Sequence, residues 1–144
     1  MRQPLTIALL LLLTALSSLA AKETLQEMIA RADAARAEDQ PGLYIDIAEH
    51  QLKTVDDLFR GGKDSEAVAA VKDVVTYSKK AHDAAIMTRK KLKGTEISLR
   101  KMAAKLRDLD RTLTYDQQPP VEAASDRLET MRTDLLAQMF GKGK

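Results

Sequence analysis

The stretch LFRGGKDSEAVAAV, residues 58–71, separates two strongly helical patterns and decides how the chain folds. Gly62 suits a tight turn because glycine adopts positive φ at little cost. Asp64 or Ser65 can cap the following helix, and Glu66 in its first turn is favourable to the helix dipole. The small side chain of Ala67 lets the second helix approach the first. The stretch therefore predicts a helical hairpin.

Apolar residues recur at three- and four-residue spacing on both sides of this turn, and no segment alternates as a β-strand would. Pro41 and Pro120 suit first helical turns, whereas Gly94 and Thr95 suit a helix end and a new helix start. Five helices are predicted, over residues 22–38, 41–60, 64–93, 95–114 and 120–140. The predicted fold class is all-α, with about five antiparallel amphipathic helices forming a bundle or a short solenoid.

The helix predicted before the turn carries two apolar stripes. One stripe consists of Ile45, Ala48, Leu52, Val55 and Phe59, and a second lies beside it at Leu43, Ile47 and Leu58. A helix with so wide an apolar face is expected to contact neighbours on two sides.

The hairpin resembles the middle of a tetratricopeptide repeat. Leu58, Gly62 and Ala67, with Val71 and Val74 behind them, stand where that family has a large apolar residue, a turn glycine and a small alanine. The resemblance covers residues 51–81, about one repeat, and no second copy follows at a 34-residue period. The chain resembles exported bacterial helix-bundle proteins that contain one such hairpin, and a repeat array with a peptide-binding groove is the alternative that the resemblance implies.

A second resemblance is to the haem-carrying four-helix bundles of the cytochrome b562 type. It rests on GGKDSEAVAAVKDVVTYSKKAHDAA, residues 61–85, in which a Gly-Lys-x-x-Glu-Ala turn precedes a helix with a histidine. The resemblance implies His82 and Met28 as axial haem ligands and electron transfer as an alternative function. The alternative interpretation of His82 is that it fills a gap on the apolar arc between Ser78 and Ile86.

The N-terminus has the pattern of a leader peptide. Arg2 is followed by an apolar run over residues 5–16 and by small residues before Ala20, which predicts cleavage there and a periplasmic or secreted protein. The run is shorter than the roughly 20 apolar residues of a membrane span. The prediction is a leader over 1–20, one helical domain over 21–140 and a disordered tail over 141–144.

The residues offer little catalytic chemistry. The chain has no cysteine, and it lacks the motifs of serine hydrolases, zinc peptidases and phosphate-binding loops. Asp46 and His50 are four residues apart on one predicted helix, but a single pair cannot complete a metal site. The sequence therefore predicts a protein that is not an enzyme and needs no cofactor or metal.

Charge is unevenly distributed along the chain. Residues 22–74 contain 7 basic and 12 acidic residues, whereas residues 75–111 contain 11 basic and 4 acidic residues. An anionic partner is expected to dock at the predicted third and fourth helices, either an envelope protein or an anionic surface such as the membrane periphery. Nucleic acid is disfavoured by the predicted export, and residues 89–107, which hold the basic runs, contain no aromatic residue for stacking. The alternatives are a solubilising surface or pairing with the acidic first half. The candidate partner-binding residues are Arg89, Lys90, Lys91, Lys93, Arg100, Lys101, Lys105 and Arg107.

Overall fold

A computed structural model of the chain describes residues 22–141 and confirms the all-α prediction. The predicted leader and the last three residues of the predicted tail lie outside the described residues. The five helices are α1 Leu25–Ala34, α2 Gln40–Arg60, α3 Asp64–Thr88, α4 Leu92–Asp110 and α5 Gln118–Phe140.

The helices form two hairpins that pack side by side as a four-helix bundle. Helices α2 and α3 make the most extensive contact, followed by α4 and α5. The hairpins meet mainly where α3 lies along α5, and more thinly where α2 lies along α4. Helix α1 packs on α2 outside the bundle.

The core follows the apolar stripes of the sequence. All five residues of the first α2 stripe are buried, and in the second stripe Ile47 is buried while Leu43 and Leu58 are partly buried. Helices α4 and α5 contribute buried residues at similar spacing: Leu99, Met102, Leu106, Val121, Ala124, Leu128, Met131 and Leu135. Burial of these stripes is the main force holding the helices together.

The turn between α2 and α3 has the geometry that the glycines predict. Gly62 has a φ of 71°, its N–H donates to the carbonyl of Phe59, and the N–H of Lys63 donates to the carbonyl of Leu58 at 2.9 Å. These two bonds define a Schellman cap, which satisfies the last carbonyls of α2. Ala67, just beyond the turn, is fully buried.

The predicted boundary between the third and fourth helices is wrong. Helix α3 ends at Thr88 rather than at residue 93, and α4 begins at Leu92 rather than at 95. Arg89 and Lys91 both adopt left-handed backbone with φ of 57°, so the chain reverses there, and Gly94 lies in the first turn of α4. The Arg89 guanidinium stabilises this reversal by donating to the side chain and the carbonyl of Gln138.

Other helix bounds also differ from the sequence prediction. The first helix spans Leu25–Ala34 instead of 22–38, because Thr24 caps its start and Ala35 is extended. The fourth ends at Asp110, four residues earlier than expected, and the fifth starts two residues earlier, at Gln118. Within residues 22–141, no helix is both long and apolar enough to cross a membrane.

Candidate binding groove between α2 and α4

A groove runs along the side of the bundle where α2 lies beside α4. Its central part has a volume of about 770 Å³. Adjoining cavities of about 520 Å³ and about 180 Å³ extend it towards Gly42 and towards Phe59. We call this surface the α2–α4 groove, and it is lined by Gly42, Ile45, Asp46, Glu49, Leu52, Lys53, Asp56, Phe59, Arg60, Lys91, Gly94, Thr95, Ser98, Lys101, Met102, Ala104, Lys105, Asp108, Leu109, Thr112, Leu113 and Gln117.

Polar contacts do not close this groove. Within residues 22–141, no side-chain hydrogen bond or ion pair joins α2 to α4. Asp56 pairs instead with Arg60 on its own helix at 2.6 Å, and Asp108 pairs with Arg111 at 3.4 Å. The charged side chains along the groove therefore remain at its rims.

The structure distributes the eight predicted basic residues over three places. Lys101 and Lys105 line the α4 side of the central part of the groove. Lys91 lies at the end of the groove that is marked by Gly42. Lys90 is exposed in residues 89–91, the joint between α3 and α4, and Lys93 and Arg100 are exposed on α4. Arg89, also in the joint, contacts α5 through Gln138.

Arg107 is the one member of the eight that makes an ion pair within the described residues. It lies 3.0 Å from Glu129 on α5, and Glu129 also contacts Arg132, whose Nε donates to Glu96 at 2.8 Å. The hydrogen bond from Arg107 lowers the pKa of Glu129, against the opposing effect of burial and with further help from Arg132. This network fastens α4 to α5 and faces away from the groove.

His82 lies between α3 and α5, where both of its ring nitrogens face carboxylates. Nε2 is 2.7 Å from Asp134 on α5, and Nδ1 is 2.8 Å from Asp83 on α3. Burial alone would raise the pKa of Asp83, but hydrogen bonds from Lys79 and His82 outweigh that effect and lower it.

Met28, the other residue proposed to bind haem, lies on α1 and is partly buried against the core. An axial bond from His82 to iron would require the imidazole to give up one of its two carboxylate contacts. The haem interpretation stays a prediction.

A third polar cluster joins α1 to the first hairpin. The Tyr44 hydroxyl donates to Asp33 at 2.7 Å, and Lys80 Nζ lies 5.4 Å from the Tyr44 ring centroid and 5.3 Å from that of Tyr77. Burial, together with the hydrogen bond to Asp33, raises the pKa of Tyr44 to about 12. The cluster holds α1 against the first hairpin.

Asp46 and His50, the pair four residues apart on α2, are both exposed. In the part of the chain that the structure describes, no three His, Cys, Asp or Glu side chains are grouped so that they could hold a metal ion.

The sequence did not predict Lys53 as a candidate binding residue. It also did not predict that apolar residues of α2 and α4, notably Leu52, Met102 and Leu109, line a groove. The wide apolar face of α2 was the available signal, because it indicated neighbours on two sides. Comparison of the chain with protein-family models, with curated proteins and with solved structures gives no match.

Proposed function

We propose that this chain is a non-enzymatic binding or scaffold protein of the bacterial cell envelope, which docks an anionic partner through basic residues of α4 and of the joint before it. The supporting observation is that, of the eight candidate residues, Arg107 alone forms an ion pair within residues 22–141. None of the eight pairs with an acidic residue of the first half within residues 22–141. Because Arg89 is held by Gln138, six of these cations are left for a partner.

The sequence supports the location of this function. The leader pattern over residues 1–20 directs export, and a cysteine-free chain folds without disulfides in any compartment. The intact mass of protein recovered from the periplasm or the medium tests this step. A mass corresponding to residues 21–144 is expected, and full-length protein confined to the cytoplasm would contradict it.

The docking step is tested by reversing charge at Lys90, Lys91, Arg100 and Lys101 together. The readout is cosedimentation of the protein with envelope fragments from the producing cells, at low and high salt. The variant is expected to lose binding, and salt should weaken binding of the unmodified protein.

A matched control reverses four other exposed cations, Lys22, Lys63, Lys72 and Arg127. These also make no ion pair within the described residues and give the same change of net charge. The control should bind normally. Equal binding by both variants would contradict docking through the basic surface.

A further inference from the structure

The α2–α4 groove has the length of a docked helix. Gly42 and Phe59 mark its two ends on α2 and are 17 residues apart, a distance of about 26 Å at 1.5 Å per residue. An amphipathic helix of about 18 residues spans about 27 Å. The groove can therefore take one side of such a helix over its whole length.

The groove floor is apolar at helical spacing. Ile45, Leu52 and Phe59 recur every seven residues along α2, and Met102 and Leu109 do the same along α4. A repeat of two turns on both sides matches the apolar stripe of a third helix lying between them.

The unpaired charges differ between the two groove walls. Lys91, Lys101 and Lys105 stand on the α4 side, whereas Asp46 and Glu49, followed by Lys53, stand on the α2 side. None of the six makes an ion pair within residues 22–141. Complementary charge on the occupant would be acidic along the flank that faces α4 and basic where it faces Asp46 and Glu49.

We infer that the α2–α4 groove binds an amphipathic helix of another protein, with an apolar stripe on the groove floor and acidic residues against Lys91, Lys101 and Lys105. This inference rests on the proposed function and specifies the anionic partner as an acidic helical segment. An acyl chain would fill the floor but leave the charged walls unmatched, so a helix accounts for more of the surface.

The probe is a synthetic peptide of about 18 residues, with leucines at heptad spacing, glutamates along one flank and a fluorescent label. One control peptide carries lysines in place of the glutamates. Another has the same composition with its leucines dispersed around the helix. Fluorescence anisotropy against the full chain, as purified from the producing cell, should show saturable binding of the acidic striped peptide alone.

Two double variants locate the binding site. Lys101→Glu with Lys105→Glu reverses the groove wall, whereas Lys72→Glu with Arg127→Glu makes the same charge change at exposed positions of α3 and α5 that do not line the groove. The groove variant should bind the acidic peptide at least about tenfold more weakly. The control variant should differ by less than about twofold, which reflects long-range charge alone.

Three results would overturn the inference. They are equal binding by the two variants, preference for the lysine peptide, and conversion of a dimer to a monomer by the groove variant, which would identify a second copy as the occupant. Envelope binding that is lost on reversal at Lys90, Lys91, Arg100 and Lys101, without binding of the acidic peptide, would refute the groove while leaving the proposed function intact.

Discussion

The two hairpins meet along two seams that differ in character. The α3–α5 seam carries polar contacts along its length: Gln117 donates to Asp64 at one end, His82 bridges to Asp134, and Arg89 contacts Gln138 at the other end. The α2–α4 seam has no such contact within residues 22–141 and opens into a groove. The polar contacts of the α3–α5 seam therefore help to hold the two hairpins together, whereas the α2–α4 seam leaves an open groove.

The side chains explain this difference. Helix α3 presents several small residues to the core, among them the fully buried Ala81 and Ala85, which permit close approach of neighbouring helices. Along the groove, long charged side chains such as Lys53, Lys101 and Lys105 flank the floor instead. Because these chains keep their charged ends in water, they hold α2 and α4 apart at the surface.

The largest expected effect contrasts a core position with a groove position. Leu135→Ala removes a fully buried side chain on α5 and should lower the free energy of unfolding by about 3 kcal/mol. Leu52 is 9% exposed and borders the groove. Leu52→Ala should lower the free energy of unfolding by only about 1–2 kcal/mol, because the space it leaves opens into the groove and forms no closed cavity. Urea titrations followed by far-UV circular dichroism measure both. Equal losses would mean that the groove is packed as tightly as the core.

The histidine bridge tests whether the α3–α5 seam is held by its polar contacts. His82→Ala should lower the free energy of unfolding by about 1 kcal/mol, because it removes a side chain that is only 14% exposed together with its hydrogen bond to Asp134. The matched change His50→Ala, at an exposed position on α2, should cost less than about 0.5 kcal/mol. A double-mutant cycle with Asp134→Asn should show coupling, and additivity would contradict the bridge.

Ser78 offers a change that should strengthen the bundle. Its side chain on α3 is 0% exposed and its hydroxyl has no hydrogen-bond partner within the described residues. Ser78→Ala removes this unsatisfied group and should raise the free energy of unfolding by about 1 kcal/mol. Chemical denaturation measures the gain. A loss of stability would indicate that the hydroxyl has a partner, such as a buried water.

The smallest effect concerns the contact within the second hairpin. The pKa of Glu129 is lowered in the folded chain. The ionised carboxylate therefore adds to the free energy of unfolding at pH values above its unfolded pKa of about 4.5, and this stabilisation is lost as the pH falls through the folded pKa. Glu129→Gln should cost about 0.5 kcal/mol at neutral pH, and the difference should shrink as the pH falls through the lowered pKa of the folded chain.

A control for this measurement is Glu122→Gln on the same helix. Glu122 is exposed and has no ion pair within residues 22–141, so its replacement should leave the acid dependence of stability unchanged. Parallel acid profiles for the two variants would contradict a role for the network around Glu129.

The sequence was sufficient to predict the helices and the core but not the joint between the hairpins. The stripe from Ile45 to Phe59 is buried as its spacing requires. The reversal at Arg89 and Lys91 could not be read from the chain, because left-handed backbone is unusual for such residues and here accompanies a tertiary contact with Gln138. Gly94, the residue that local rules favour for the turn, lies inside α4.

The candidate surface was predictable only in part. Charge along the sequence identified Lys91, Lys101 and Lys105, since runs of like charge need no structure to be seen. These lysines line the groove, whereas Arg107 pairs with Glu129 on α5. Which side of α4 faces α2 and which faces α5 is decided by the packing of the bundle and not by the charge pattern. Lys53 joins them from a segment that is acidic on average, so composition alone conceals it.

The placement of the tyrosines determines what light can report about this protein. The chain has no tryptophan and three tyrosines. Tyr44 and Tyr77 lie in the first hairpin with ring centroids 6.2 Å apart, and Tyr115 is largely exposed between α4 and α5. Near-ultraviolet dichroism will therefore follow α2 and α3, because an exposed tyrosine gives little dichroism, and the second hairpin contributes to tyrosine fluorescence only through Tyr115. A tryptophan introduced at the exposed position of Phe140 would give that hairpin a signal of its own.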